Sequence, residues 1–196
     1  MSDADAVRKK GSIGRPMMFT DARVVDASGR DCPPGEVGEL WLRGPHVAKG
    51  YWNNPEGTAA ALDADGWFHT GDSARRDEEG FFAIAGRQRD MFISGGVNVY
   101  PAEIEGELLL HPEVRDAAVI GVPHDRWGEV GVAFVVPRAA DVVDGATLAA
   151  FLAERLAKFK IPREFVFVDE LPRTAYGKVV KAELQRQYER TGHDPR

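Results

Sequence analysis

Residues 86–105 read GRQRDMFISGGVNVYPAEIE, and this stretch decides how the chain is organised. The apolar run at 91–93 is long enough for a strand but too short for a helix, and the glycine pair Gly95-Gly96 then frees the backbone for a turn. Pro101 suits the first position of a helix, where Glu103 opposes the helix dipole. The stretch therefore predicts a short strand, a turn and a helix.

Upstream of this stretch, alternating apolar and polar residues predict strands that are separated by loops rich in glycine and proline. The predicted strands are 22–26, 37–43 and 81–85, and a short helix is predicted from Pro55 to Leu62. The first ten residues are polar and offer no hydrophobic anchor. Few apolar helices are available to cover these strands, so the first part of the chain is expected to be β-rich.

Downstream, helical and strand patterns alternate regularly, and Asp144 is placed to cap the second of three predicted helices. With a short first strand at 97–99, the order is strand, helix, strand, strand, helix, strand, which is the ferredoxin-like order. The predicted elements are helix 101–110, strands 116–122 and 130–136, helix 146–157, strand 164–168 and a last helix after Lys178. The sequence thus predicts an α+β chain.

Composition excludes several classes of protein. The 196 residues are 43% hydrophobic and 29% charged, with no apolar run long enough to span a membrane and no signal-peptide pattern at the start, so a cytoplasmic location is expected. The net charge of −6 argues against nucleic acid as a partner, although basic residues outnumber acidic ones between Arg155 and Arg190. The single cysteine, Cys32, is interpreted as a loop thiol, and the five histidines show no metal-ligand spacing.

Four positions have side chains suited to ligand chemistry, and each also has a plainer interpretation. Asp72, in Thr-Gly-Asp, could accept hydrogen bonds from a vicinal diol or simply close its own turn. Arg87 could donate to a ligand or form a surface ion pair, and Lys178 could be the cation of a mobile loop or an ordinary exposed lysine. Trp127 could face a ligand channel or fill the core. No dinucleotide fingerprint or Walker motif is present.

The order of these strings strongly resembles the signature of the adenylate-forming superfamily, which includes acyl-CoA synthetases, luciferases and peptide-synthetase adenylation domains. The matching strings are Gly38-Glu39-Leu40, GWFHTGD at 66–72, GRQRD at 86–90, GGVNVYP at 95–101 and Pro-x-Thr-x-x-Gly-Lys at 172–178. The glycine-pair segment looks more like that of fatty-acyl and aryl acyl-CoA synthetases than that of peptide-synthetase domains.

The resemblance implies specific roles for these residues. Asp72 and Arg87 would hold the ribose of ATP and of the acyl-adenylate, and Arg89 would be the hinge, where the family usually has Lys or Asp. Lys178 would bridge the carboxylate, the α-phosphate and the ribose during adenylation. The CoA channel would pass Gly95, Gly96 and Trp127.

The resemblance also implies the activity and the domain plan. The reaction would join a carboxylic acid to CoA with conversion of ATP to AMP and pyrophosphate, and Mg²⁺ would enter with ATP rather than at a metal site of the chain. Residues 1–88 would be the β-rich end of the large domain, part of a β-barrel, and 89–196 the mobile C-terminal domain. The phosphate loop and acyl pocket of the family are not found here, so we expect a C-terminal piece that is inactive alone.

Two further expectations accompany this one. The alternative to a piece of a fatty-acid or aryl-acid ligase is a free-standing, non-catalytic module that binds a nucleotide, CoA or another protein. In related synthetases the lysine that matches Lys178 is a target of protein acetyltransferases, so an acetyltransferase is an expected partner. The carboxylic acid itself cannot be deduced from these residues.

Overall fold

The computed structural model describes residues 3–139 and 142–191, and the chain divides into two compact units, Met1–Arg89 and Asp90–Arg196. The division falls within a 3₁₀ turn, Gln88–Asp90.

The first unit is an open antiparallel sheet with the strand order β1-β2-β3-β4. Its core contains Val24, Leu40, Ala74 and Phe82, one from each strand, together with Cys32 from a loop. The predicted short helix and the β-rich character are confirmed. The elements are α1 (Asp3–Arg8), β1 (Asp21–Val25), β2 (Val37–Arg43), α2 (Pro55–Ala61), β3 (Phe68–Arg76) and β4 (Phe82–Arg87).

Two features of this unit differ from the sequence-based expectations. The polar start of the chain forms helix α1, and ion pairs fix the segment after it, because Lys9 Nζ lies 2.6 Å from the Asp77 carboxylate in the loop between β3 and β4. Charge complementarity over a long sequence separation therefore replaces the missing hydrophobic anchor. Cys32 does lie in a loop, but its side chain is buried, and its backbone N–H donates to Val24 O.

The second unit has a mixed sheet with the strand order β6-β5-β8-β7, in which β9 runs parallel to β8. The predicted order of elements and the α+β class are confirmed. The predicted first strand, at 97–99, is β6, and it forms a hairpin with β5. Strand β5 joins the rest of the sheet through the pair Ser94 and Gly128. The elements are β5 (Phe92–Ser94), β6 (Val97–Val99), α3 (Pro101–Leu108), β7 (Val114–His124), β8 (Gly128–Pro137), α4 (Gly145–Ala153), β9 (Glu164–Phe167) and α5 (Lys181–Thr191).

Helices cover this sheet on both faces. Ile104 of α3 and Leu148 of α4 belong to one core cluster with Ala133 and Val135, whereas Leu184 of α5 belongs to a second cluster that includes the intervening β8 residues. Because strand β8 is buried on both faces, its sequence is an unbroken apolar run rather than an alternating one. The predicted cap of α4 is confirmed, since the Asp144 side chain accepts a hydrogen bond from Thr147 N at 2.8 Å.

Helix α4 ends at Ala153, four residues before the predicted end. The chain then needs to turn towards β9, and Ala157 is already extended, with φ −62° and ψ 144°. A 3₁₀ turn at Lys158–Lys160 follows it. The apolar residue Leu156, which suggested a longer helix, packs instead against the first core cluster from this connecting segment.

Candidate functional site

Asp72 and Arg87, the two predicted ribose contacts, lie opposite each other on the adjacent strands β3 and β4. Arg87 Nε is 2.7 Å from Asp72 Oδ1, and the side chains are 51% and 27% exposed, respectively. The plainer interpretation of Arg87 as a surface ion pair is therefore correct in geometry, but its partner is the other predicted ribose contact. The pair presents both hydrogen-bond acceptors and donors to solvent at one point of the sheet.

A bulge in β3 places Asp72 in this position. Glu39 pairs with Ser73 and Trp41 pairs with His69, so the single residue between them on β2 faces the three residues Thr70 to Asp72 on β3. The Thr70 hydroxyl bridges the gap, because it donates to Leu40 O at 2.7 Å and accepts from Asp72 N at 3.0 Å. Gly71 has φ +68°, in the left-handed region that favours glycine. Thr70 and Gly71 thus shape the bulge, and the Asp72 side chain is left to contact Arg87.

Lys178 follows the tip of a small exposed hairpin. Thr174 N donates to Lys178 O and Gly177 N donates to Thr174 O, each at 2.8 Å, and Gly177 has φ +80°. The base of the hairpin is fixed, since the Arg173 guanidinium donates to Gly177 O and to the Asp116 carboxylate of β7. The Lys178 side chain is exposed, so the lysine predicted for adenylation lies on a braced loop with its ammonium open to ligands.

The three residues predicted to face CoA are grouped around one turn. Gly95 and Gly96 connect β5 and β6 with φ +58° and +83°. Gly95 N donates to Trp127 O at 2.8 Å, and a Cβ on Gly95 would lie only 3.0 Å from the indole ring. Trp127 is half-buried and packs against the second core cluster, so its role in the core is observed, while its role in a ligand channel stays a prediction.

Trp127 is part of the lining of a groove of about 740 Å³, and the sequence did not indicate that the other lining residues form a site. Its wall carries three cationic side chains, Arg126, Lys158 and Arg163, together with the partly exposed Phe159. The signal for it was the basic excess near the C-terminus, but its residues come from separate segments that only the fold brings together. The lining is Ser94, Arg126, Trp127, Val130, Lys158, Phe159, Ile161, Pro162 and Arg163.

Arg89, the predicted hinge, is an exposed residue of the 3₁₀ turn at which the two units divide. Its role as a hinge stays a prediction. Among residues 3–139 and 142–191, no group of His, Cys, Asp and Glu side chains is arranged to hold a metal ion. No helix in the same part of the chain is long and apolar enough to cross a membrane.

An Asp–Arg pair on an open sheet, followed by a small α+β unit with an exposed lysine hairpin, is the arrangement expected of the class of adenylate-forming enzymes. Comparison with protein families agrees with this class. Residues 103–178 match the AMP-binding enzyme C-terminal domain, and residues 1–52 match the AMP-binding enzyme family. The chain therefore belongs to the family of AMP-binding enzymes.

Its curated relatives are CoA ligases. A feruloyl-CoA synthase of Amycolatopsis sp is 51% identical over 94% of this chain and 38% of its own length. An indoleacetate–CoA ligase of Aromatoleum aromaticum is 47% identical over 93% of this chain and 36% of its own length. The chain thus spans less than two fifths of the length of these relatives.

Solved structures show the same fold. The o-succinylbenzoate CoA synthetase of Bacillus subtilis, in complex with its acyl-adenylate intermediate, has a TM-score of 0.89 and 38% identity, covering 94% of this chain and 37% of that one. ATP-bound MatB from Rhodopseudomonas palustris has a TM-score of 0.83 and 43% identity, covering 91% of this chain and 36% of that one.

Proposed function

We propose that this chain supplies the ribose-binding strands and the mobile domain of an ATP-dependent acyl-CoA synthetase, with residues 1–88 and 89–196 as the two parts and Arg89 as the pivot. The contact between Asp72 and Arg87 carries this proposal, because a carboxylate and a guanidinium held 2.7 Å apart on neighbouring strands suit a ribose diol.

The proposed reaction has two steps. A carboxylate oxygen attacks the α-phosphorus of ATP and pyrophosphate leaves, which gives the acyl-adenylate. The CoA thiol then loses its proton to solvent and attacks the acyl carbon, and AMP leaves. In both steps Asp72 accepts hydrogen bonds from the ribose hydroxyls while Arg87 donates to ribose oxygens, and Mg²⁺ arrives bound to the phosphates of ATP.

Lys178 is the proposed catalytic residue of the first step. Its exposed ammonium donates to the carboxylate and to the α-phosphate while negative charge passes to pyrophosphate. Hydrogen bonds to charged groups contribute about 1.5–3 kcal/mol each, and more where charge develops in the transition state. The hairpin brace at Arg173 limits the conformations of the loop, which reduces the entropy lost when the ammonium binds.

The basic groove is the proposed place for the nucleotide end of CoA in the second step. Arg126, Lys158 and Arg163 would face its phosphates, and Phe159 and Trp127 offer aromatic surface to its adenine. The turn at Gly95 and Gly96, next to Trp127, then leaves room for the pantetheine arm because neither glycine carries a side chain.

The ribose assignment is tested by binding. In a titration of the ¹⁵N-labelled chain followed by NMR, AMP is expected to shift the amides around Asp72 and Arg87 more than 2′,3′-dideoxy-AMP does. Asp72→Asn should remove this preference. The first unit supplies a matched control in Asp21→Asn, since Asp21 and Arg43 form another cross-strand pair, 2.9 Å apart. Equal response to both nucleotides in the unmodified chain would contradict the proposal.

The chain alone is expected to make no acyl-adenylate, because the phosphate loop and the acyl pocket would come from elsewhere. ATP–pyrophosphate exchange across a range of carboxylic acids should stay at the blank, and clear exchange would overturn the fragment interpretation. Because the chain covers only part of the length of its relatives, a second candidate function is also considered, that of a non-catalytic binding module. Replacing the matching part of a relative with this chain distinguishes the two, since only the first predicts exchange in the chimera.

We propose further that Lys178 is a site of regulatory acetylation by a protein acetyltransferase. Acetylation would remove the charge and the donors that the first step uses. Lys160 and Lys181 are engaged at 2.7 Å by Glu103 and Glu105, respectively, whereas Lys178 is exposed. Incubation with an acetyltransferase and acetyl-CoA should label Lys178 before Lys158, Lys160 and Lys181, and mass spectrometry that found one of those modified first would contradict this proposal.

A further inference from the structure

Glu39 lies next to the bulge that presents Asp72, and its carboxylate is held by two donors. Glu39 Oε1 accepts from Gly71 N at 3.1 Å, and Glu39 Oε2 accepts from the indole Nε1 of Trp41 at 2.9 Å. Gly71 is the middle residue of the bulge, where the pairing between β2 and β3 is interrupted. The carboxylate therefore takes the place that a backbone carbonyl has in a regular ladder.

The second donor is itself fixed. The Trp41 ring stacks on His69 with the ring centroids 3.9 Å apart and an interplanar angle of 7°. His69 Nε2 in turn lies 3.3 Å from Asp63 Oδ2. A continuous set of contacts thus runs from Asp63 through His69 and Trp41 to Glu39, and from there to the backbone beside Asp72.

We propose that Glu39 is a positioning residue for the ribose contact: it fixes the Thr-Gly-Asp bulge in the conformation that aims Asp72 at the ligand. This inference rests on the proposed function, since it assigns Glu39 a role only through Asp72. Glu39 does not need to contact the nucleotide. Its effect should therefore appear in the recognition of the ribose diol and nowhere else on the ligand.

Glu39→Gln is the sharpest test because it changes almost no volume. The Gly71 N–H and the Trp41 indole N–H reach different carboxylate oxygens, and in glutamine one of these oxygens is replaced by an NH₂ donor, so in this geometry only one of the two donors keeps its acceptor. Loss of one such hydrogen bond should weaken AMP binding about tenfold. Simple electrostatics predicts tighter AMP binding instead, since the substitution removes a negative charge from the surroundings of an anionic ligand. Glu36→Gln, at an exposed position of the same segment, is the control for charge alone.

A second substitution should rescue the first. Trp41→Phe keeps an aromatic ring against His69 but removes the indole N–H, so the glutamine oxygen is free to accept from Gly71 N. The double variant with Glu39→Gln and Trp41→Phe should therefore bind AMP better than Glu39→Gln alone. A role in general stability does not predict this pattern in the preference for AMP over 2′,3′-dideoxy-AMP.

The readout is the initial slope of the NMR titration with AMP and with 2′,3′-dideoxy-AMP, which is inversely proportional to Kd for weak binding. Glu39→Gln should lower the slope for AMP and leave that for the dideoxy nucleotide unchanged. If the unmodified chain does not distinguish the nucleotides, the proposed function fails. If it does and Glu39→Gln distinguishes them equally well, the positioning role is refuted while the proposed function stands.

Hydrogen exchange of the unmodified protein covers the case in which Glu39→Gln fails to fold. The Gly71 amide should be protected from exchange although it has a side chain, not a backbone carbonyl, as its acceptor. Exchange of Gly71 at the rate of an exposed loop amide would overturn the proposal without any variant.

Discussion

Alanine substitutions at two glycines of the second unit should change its stability in opposite directions. Gly121 lies in β7, and a Cβ built on it would be 2.4 Å from Phe92 Cβ and 2.7 Å from Phe92 Cγ. Gly106 lies in helix α3, and outside its chain neighbours and the backbone of its own helix no atom lies within 4 Å of an added Cβ. The same added methyl group therefore clashes with a core side chain at Gly121, whereas at Gly106 it clashes with nothing and favours the helix.

Phe92 cannot move aside to relieve the clash at Gly121. Its side chain is 2% exposed and belongs to the first core cluster. Its ring extends across the strand pair, because a Cβ on Gly131, the partner of Gly121 in β8, would lie 3.2 Å from Phe92 Cζ. The Phe92 ring therefore packs against two glycines that lie opposite each other on β7 and β8.

The magnitudes follow from these distances. Overpacking a core costs about 1–3 kcal/mol, and a contact far inside the usual limit with a buried neighbour puts Gly121→Ala at about 3 kcal/mol. Gly106→Ala should stabilise by about 0.5–1 kcal/mol, since alanine loses less backbone entropy in a helix. Gly131→Ala, with its looser contact, should fall between them at about 1–2 kcal/mol of destabilisation.

Native-state hydrogen exchange of the β7 and β8 amides measures these changes within the second unit. Whole-chain fluorescence is less suitable because three of the four tryptophans, Trp41, Trp52 and Trp67, lie in the first unit. A destabilisation by Gly121→Ala below about 1 kcal/mol would refute the packing of Phe92 against this glycine. Destabilisation by Gly106→Ala would refute the open surroundings of that helix position.

Three further outcomes are expected. The hydrogen bond from Thr147 N lowers the pKa of Asp144. The cap therefore stabilises α4 fully above the ordinary aspartate pKa of about 4, and this stability is lost as the pH falls through the lowered pKa. Asp144→Asn should flatten this pH dependence in hydrogen-exchange measurements on α4. Burial raises the pKa of the Cys32 thiol, so native protein should react with iodoacetamide far more slowly than unfolded protein, and equal rates would contradict its buried position. In a chimera with the rest of a relative, Lys178→Ala should lower ATP–pyrophosphate exchange at least about tenfold. The same substitution should affect thioester formation from supplied acyl-adenylate much less. An equal loss in both steps would contradict the proposed role of Lys178.

The sequence predicts the elements of this fold because the local signals agree with one another. Pro101 begins α3, Asp144 caps α4 and the apolar run of β8 predicts a strand. Each of these signals depends on residues within a few positions of one another. The order of the elements could therefore be predicted without a structure.

Features that depend on distant residues could not be predicted in this way. Helix α1 has no apolar face to reveal it, and the ion pair from Lys9 to Asp77 crosses most of the first unit in sequence. The parallel pairing of β9 with β8 and the basic groove beside Trp127 depend on which segments become neighbours. The resemblance to a family indicated Asp72 and Arg87 separately, but only the strand register shows that they contact each other.

The candidate ligand contacts share a physical origin, because each stands where regular backbone pairing stops. Asp72 belongs to the bulge of β3, Lys178 ends a hairpin turn, and Gly95 is part of the turn between β5 and β6. In a continuous ladder the backbone groups satisfy one another and the side chains follow a fixed alternation. An interruption releases a side chain from this alternation, but it also leaves backbone donors that need acceptors. Side chains such as those of Glu39 and Thr70 supply those contacts at Asp72, so the neighbours of a ligand residue are as constrained as the residue itself.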